Sequence, residues 1–287
     1  MKEIEKDLNL KIEKVKKVSK ITNYIIIVLS IIFLVFFLSN FYSYNMDLKV
    51  FYIFVIIACL TIGRIIIKNK TLKDIKNKIF INIFSDLTSD YKIIYNSLGI
   101  SKKEFQDSGL YSNYTEYYTS DGLKVLSNNL NIANVLAIRK EENSKTTVFN
   151  GIFGYMQTEE LYEDEIIIKP DVENKYVKDI LDEKSKLLGN SKYIVRLENS
   201  EFEKYFEVYS KNQIKARQLI TPDYMEKIVA IRKTINAPIK IIYFGNKKYV
   251  ALWDMRILNE KEIYKNGVNI EKIRENVEKI IDIFNKC

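Results

Sequence analysis

Two apolar runs near the N-terminus, Ile21–Leu38 and Val50–Ile67, constrain this chain more than any other feature. Each is about 18 residues long, enough for an α-helix to cross a bilayer's hydrocarbon core. The first carries no charge from Tyr24 to Leu38, and the second none from Val50 to Gly63 before Arg64. An arginine so near a helix end extends its guanidinium to the headgroups and does not break a span. Apolar residues fall on every helical face, whereas a helix on the surface of a soluble core keeps one face polar. The linker Ser39–Lys49 holds Phe41, Tyr42 and Tyr44, side chains suited to a membrane interface. Ser39 to Ser43 offers no small-x-small cleavage pattern, so the first run is expected to be an uncleaved span. The pair is therefore expected to form a transmembrane hairpin, 21–67.

Lysines set the expected orientation. Residues 1–20 hold seven lysines against four acids, a net +3, and residues 64–80 hold six bases against Asp74, a net +5. The linker, with Asp47 and Lys49, is neutral. By the positive-inside rule both termini are cytoplasmic, at a cell membrane crossed twice. The chain's total of +8 is the sum of those two flanks, which leaves 31 bases and 31 acids in residues 81–287. The basic excess thus belongs to anionic lipid on the inner leaflet, with Lys14, Lys16, Lys17, Lys20, Arg64, Lys68 and Lys70 at the membrane surface. A groove for nucleic-acid phosphates is not expected.

The sequence has no histidine, which removes the commonest general base and neutral metal ligand. Its two cysteines, Cys59 and Cys287, make neither a zinc site nor a disulfide framework. No cofactor is expected, although oxygen ligands for Mg²⁺ or Ca²⁺ remain open. Cys287 lies outside the apolar runs and reads as a handle for labelling experiments.

Residues 1–20 place Ile4, Leu8, Ile12, Val15 and Val18 at helical spacing, an amphipathic helix leading into the first span. Leu72, Ile75, Ile79, Ile83 and Leu87 continue the second span as a helical neck through about residue 98, ended by Gly99. Ser101 and Glu104 have capping-box spacing for a short helix. Residues 108–130, with Tyr111, Tyr114, Tyr117 and Tyr118, read as a loop that completes a neck region, 68–130. The folded domain is expected over 131–287. Its hairpin signals are 135–140 with 146–157, and 240–244 with 249–253 around Gly245-Asn246. Gly151 and Gly154 inside a strand suggest a bulge or a close backbone approach. Further expectations are strands over 165–169 and 193–197, a helix over 172–188, a helix from Thr221-Pro222, and a last helix capped by Asn269. Helix and strand signals alternate irregularly and hairpins dominate. The fold class is therefore α+β, a largely antiparallel sheet with flanking helices behind a transmembrane hairpin and helical neck.

One stretch carries a resemblance. Leu197-Glu-Asn-Ser-Glu-Phe-Glu-Lys-Tyr-Phe-Glu-Val-Tyr-Ser210, then Ala216-Arg217-Gln-Leu-Ile-Thr-Pro-Asp223, resemble the bacterial domain-of-unknown-function 3137 family. Phe149-Asn-Gly-Ile-Phe153 and Ile168-Lys-Pro-Asp171 fit the same pattern in order. The resemblance implies a membrane-anchored bacterial protein and implies no activity. It departs at Lys211-Asn212 and at Lys215, where the family's pattern has acids.

Within that stretch Arg217 sits between apolar residues, where it would pair with Glu198 or Glu207 or hold an anionic ligand. Tyr209 reads as a hydroxyl donor in a site or as a core tyrosine. Glu198, Tyr209 and Arg217 are thus the candidate ligand or partner contacts; no catalytic residue and no metal ligand is assigned. The leading reading is a membrane-anchored cytosolic domain that binds a protein partner and is not an enzyme. A carboxylate-dependent enzyme, Mg²⁺-assisted or not, on a membrane or cell-envelope substrate is the alternative. A third reading packs the hairpin in a larger complex through Cys59 and Gly63.

Overall fold

The structure, a computed structural model, describes residues 2–40, 48–86, 92–111, 113–142, 144–171 and 191–287. The expected helix over 172–188 lies outside them. Two compact units result, Met1–Ile83 with Asn259–Lys272, and Phe84–Leu258 with Ile273–Cys287.

The first unit is built on two long helices, α1 (Lys2–Asn40) and α2 (Leu48–Asp86). Both are long and apolar enough to cross a membrane, and none of either apolar window is buried within the protein. The amphipathic start leads into the first apolar run within one continuous helix. Towards the linker, Phe33 and Phe54 bring their ring centroids to 6.2 Å. At the open end Leu8, Ile12, Leu72, Ile75 and Ile79 of the expected stripe are buried together with Phe80, whereas Val18 is exposed.

Asn259–Lys272 belongs to this unit and is held by polar contacts. Asn9 accepts from the Val268 amide at 2.7 Å and donates to the Val268 carbonyl at 3.0 Å, replacing a backbone partner on both sides. Glu5 accepts from the Ile270 amide at 3.3 Å, and Lys76 pairs with Glu260 at 2.7 Å. Lys68 stands 4.5 Å over the Tyr264 ring. The segment contains α7 (Glu260–Asn266) and the start of α8 (Ile270–Lys286). Asn269 caps α8 as expected, accepting from the Lys272 amide at 2.9 Å.

The second unit is an antiparallel sheet flanked by helices. Its strands are β1 (Ile93–Asn96), β2 (Glu116–Val125), β3 (Leu130–Lys140), β4 (Lys145–Pro170), β5 (Phe206–Ser210) and β6 (Ile239–Trp253). The order is β1-β2-β3-β4-β5, with β6 along β4 as well. Helices α3 (Lys102–Asp107), α4 (Ser200–Glu203), α5 (Gln213–Leu219) and α6 (Pro222–Ile235) lie between strands in sequence. Ser101, Asn199, Asn212 and Thr221 cap them. Phe202 and Phe206 are both buried, with ring centroids 5.1 Å apart.

Several expectations are corrected. The neck helix does not run to residue 98: Ile93–Asn96 is a strand, in which Ile93 and Tyr95 pair with Val125 and Leu123. Residues 116–125 are a strand rather than part of a loop. The register shift between Ser120 and Leu123, with Asp121 at φ +57°, hides the two-residue period there. The sheet therefore begins well before residue 131. The 145–157 and 165–169 strands are one strand, β4, and 239–253 is one strand rather than a hairpin. Gly245 at φ +59° is a bulge opposite Tyr162, where β4 and β6 bend together. Finally, Ser191–Tyr193 is a 3-10 turn, and only the Ile194–Tyr209 bridge is strand-like in 193–197.

The core on one sheet face is aromatic. Phe105 meets Phe153 edge-on at 4.9 Å, and Tyr111 stacks on Phe149 at 4.9 Å. Gly151 permits the closest backbone approach, since a Cβ there would run into the Leu252 carbonyl oxygen of β6. Gly151→Ala should therefore lower stability by about 1–3 kcal/mol, as overpacking against backbone does. Denaturant unfolding of the solubilised chain checks this; an unchanged midpoint would show that β4 and β6 separate freely there.

Candidate functional site

The three residues nominated from sequence are not joined to one another by any hydrogen bond or ion pair among the described residues. Glu198 is exposed on the segment before α4. Arg217 is exposed on α5, where its guanidinium donates to the Gln213 carbonyl of its own helix at 3.3 Å. Neither Glu198 nor Glu207 pairs with it. Tyr209 is buried at 3% exposure, and its hydroxyl donates to Glu207 at 3.0 Å.

Tyr209 instead belongs to a row of polar side chains across three strands, in which Lys169 and Lys240 are buried and Glu207 is half-buried. Lys169 of β4 stands directly opposite Glu207 of β5. Its ammonium lies 2.9 Å from the Glu207 carboxylate and 5.2 Å over the Tyr209 ring. On the other side Ile168 pairs with Ile241, so the next residues along, Lys169 and Lys240, stand side by side. Lys240 donates to the Leu110 carbonyl at 2.8 Å and lies 5.2 Å over the ring of Tyr111. Tyr111 in turn accepts from the Trp253 indole at 2.6 Å. Both lysines are only 1% exposed. A charge so deep is tolerated where carboxylates, carbonyls and ring faces replace its water.

Sequence reading passes over Lys169 and Lys240 because each sits beside isoleucines in a strand, where alternation reads a lysine as solvent-facing. Lysine on the buried face of a strand, next to Pro170 in one case, is a signal recoverable only once both faces are known to be covered. The row can hold a fixed positive charge beside a phenol and a carboxylate. Its members are already bonded to one another, which makes it first a packing device.

A second buried group ends α8. Tyr243 donates to the Cys287 carbonyl at 2.9 Å, Tyr224 donates to the same oxygen, and Lys248 donates to the Phe284 carbonyl at 3.2 Å. Burial holds the Lys248 ammonium below its ordinary 10.5. Burial also pushes the Cys287 thiol up to about 12, so the expected labelling handle is inert.

The basic residues near the spans divide by role. Lys14, Lys17, Lys20 and Lys70 are exposed, whereas Lys16, Arg64 and Lys68 are half-buried. Lys16 is 3.2 Å from Glu13 and 3.3 Å from the Lys265 carbonyl. Lys11, Lys14 and Lys78 line a cleft between α1 and α2 with a volume of about 600 Å³.

Burial raises several tyrosines. Tyr114 and Tyr249 move up to about 12 from 10.0, and Tyr111, Tyr117, Tyr224 and Tyr243 are raised as well. A raised phenol keeps its proton in the folded state while the unfolded chain loses it near 10.0, so its stabilisation is complete below that pH and falls away above it. Tyrosinate absorbance should thus lag behind that of free tyrosine on alkaline titration and then rise together with unfolding. Gradual titration at the ordinary value would contradict the burial.

Breaking the row by Lys169→Met should cost about 3 kcal/mol, because Glu207 keeps a carboxylate without its ammonium. Lys169→Met with Glu207→Met should recover most of that loss in denaturant unfolding. A double variant as unstable as the single one would contradict the pairing.

Residues 147–285 match the model of a family described as a protein of unknown function, DUF3137. No curated protein matches the sequence. Among solved structures, the crystal structure of the mycobacterial trehalose monomycolate transport factor A, TtfA, is similar over 67% of this chain and 88% of that one. The two share 10% identity, with a TM-score of 0.32.

Proposed function

We propose that this chain, whose residues 147–285 match the DUF3137 family model, is a two-span anchor in a bacterial cell membrane that presents its α+β unit to a protein partner in the cytosol. One observation carries the reading. Two long helices keep their whole apolar windows exposed, and the charge that could offset this is confined to their one shared end. Apolar helices of this length left in water would aggregate, whereas a bilayer covers them without a protein partner. Lysines at the open end and a neutral linker favour a cytosolic open end.

Binding rather than catalysis is supported by where the nominated side chains lie. Glu198 and Arg217 face outward, and Tyr209 is committed to Glu207 inside the sheet. A carboxylate enzyme would want two of them converging on one substrate position. Exposed Ile214 at 71% and Leu161 at 68% are apolar side chains of the kind that a partner covers.

Topology is the direct test. Because the Cys287 thiol is buried, the probe is Glu142→Cys, an exposed position in the turn after β3, in a Cys59→Ala background. A membrane-impermeant maleimide should label it only after permeabilisation. Labelling in intact cells would place the α+β unit outside and reverse the orientation.

A further inference from the structure

The cleft between α1 and α2 lies at the open end of the hairpin, just past the spans. Thr71 is four residues beyond Ile67, about 6 Å along the helix, and Lys14 is seven residues before Ile21, about 10 Å. The headgroup layer is about 5–7 Å deep, so the rim of the cleft reaches it. Lys11, Lys14, Lys78, Asp74, Thr71 and Asn77 supply its polar lining. With about 600 Å³ it has room for a small anion and its immediate substituents.

Its charge is not internally balanced. Lys11 and Lys78 both turn to one oxygen of Asp7, at 2.9 Å and 3.9 Å, so the two ammonium groups lie within about 7 Å of each other. Lys14 adds a third positive charge on the same helix, and Asp74 a second negative one. Three cations against two carboxylates leave a single positive charge. The Thr71 hydroxyl and the Asn77 amide add neutral donors suited to phosphate oxygens. That balance matches a monoanion with several acceptor oxygens better than a multiply charged ligand.

We infer that the cleft lined by Lys11, Lys14 and Lys78 binds one phosphate group, as the phosphodiester of an anionic phospholipid or as a soluble phosphate. The inference deepens the membrane-anchor reading in its lipid form and stands apart from it in its soluble form. It differs from general attraction to an acidic surface, because it names a single saturable position and two lysines whose mutual repulsion the anion relieves.

The test is thermal melting of the full-length chain in neutral detergent. Short-chain phosphatidylglycerol is titrated against phosphatidylcholine, and inorganic phosphate against chloride at equal ionic strength. A saturable rise in melting temperature is expected with phosphatidylglycerol or with phosphate, and which of them gives it identifies the source. Lys11→Gln with Lys78→Gln should raise the half-saturation point at least about tenfold while melting no lower without ligand. The charge-matched Lys227→Gln with Lys286→Gln, at exposed lysines that also pair with an aspartate of their own helix, should keep the wild-type response. No saturable rise from either probe would overturn the proposal. Equal losses in both double variants would overturn it too, and would leave the anchor reading standing on its basic collar.

Discussion

Strand β4 is the constraint on which the second unit depends. Its first half pairs with β3 and its last five residues with β5, while β6 pairs with both halves. A ladder of that length cannot stay flat, and the register shifts between Gln157 and Ile166 take up the bend. Gly151 and Gly154 let the neighbours close on it: a side chain at 154 would meet the Asn131 carbonyl and the Phe284 ring, each at 2.6 Å. The same strand carries the aromatic core at one end, through Phe149 and Phe153, and the buried Lys169 at the other. The core and the charged row are thereby fixed to one ladder. A change that frees β6 from β4 would loosen both.

In the first unit, apolar burial and polar anchoring are separated along the helices. The apolar windows bury nothing within the protein, and stability there comes from the stripe at the open end. That stripe would slide if packing were its only restraint, since apolar contacts are not directional. The Asn9 side chain supplies direction by engaging both the amide and the carbonyl of Val268. Gly267, at φ +91°, permits this approach, because a Cβ there would meet Asn9 at 2.7 Å. Glu5 and Asn269 then take two of the four free amides at the start of α8. A glutamate of the first helix thus acts as a cap for the last one, about 265 residues away in sequence.

How far the sequence could be read depended on the range of each signal. The long apolar helices, the caps and the last helix were legible because their cause lies within a few residues: run length, Ser101 with Glu104, Thr221-Pro222, Asn269. The resemblance placed the family on separated pieces that turn out to be β4, α4, β5 and the α5–α6 region. What failed depended on partners distant in sequence. Gly245-Asn246 has the composition of a hairpin turn, yet β4 holds both sides of it in one strand. The strand at 116–125 was masked by the Asp121 bulge, whose carboxylate accepts from Asn134 at 2.8 Å and from Ser120 at 3.1 Å. Those are bonds that no local pattern announces. For Tyr209 the reading as a core tyrosine did not supply its partners, because a buried lysine in a strand looks like a surface one until the covering elements are known.

Lysine is so abundant here that type alone carries little information, and position decides what each one does. Lys169 and Lys240 are buried on the sheet, while Lys211 and Lys215 lie at its margin and face acids of β4. Lys215 is 2.6 Å from Glu160, and Lys211 is 4.0 Å from Asp164. These are the two places where the chain departs from the acidic residues that the family resemblance implies. An acid at either would face a carboxylate of β4, and like charges there would repel. Surface pairs of this kind contribute at most about 1 kcal/mol each. The departure is therefore accounted for by local charge matching with Glu160 and Asp164, at a cost to the fold too small to require any compensating change in the core.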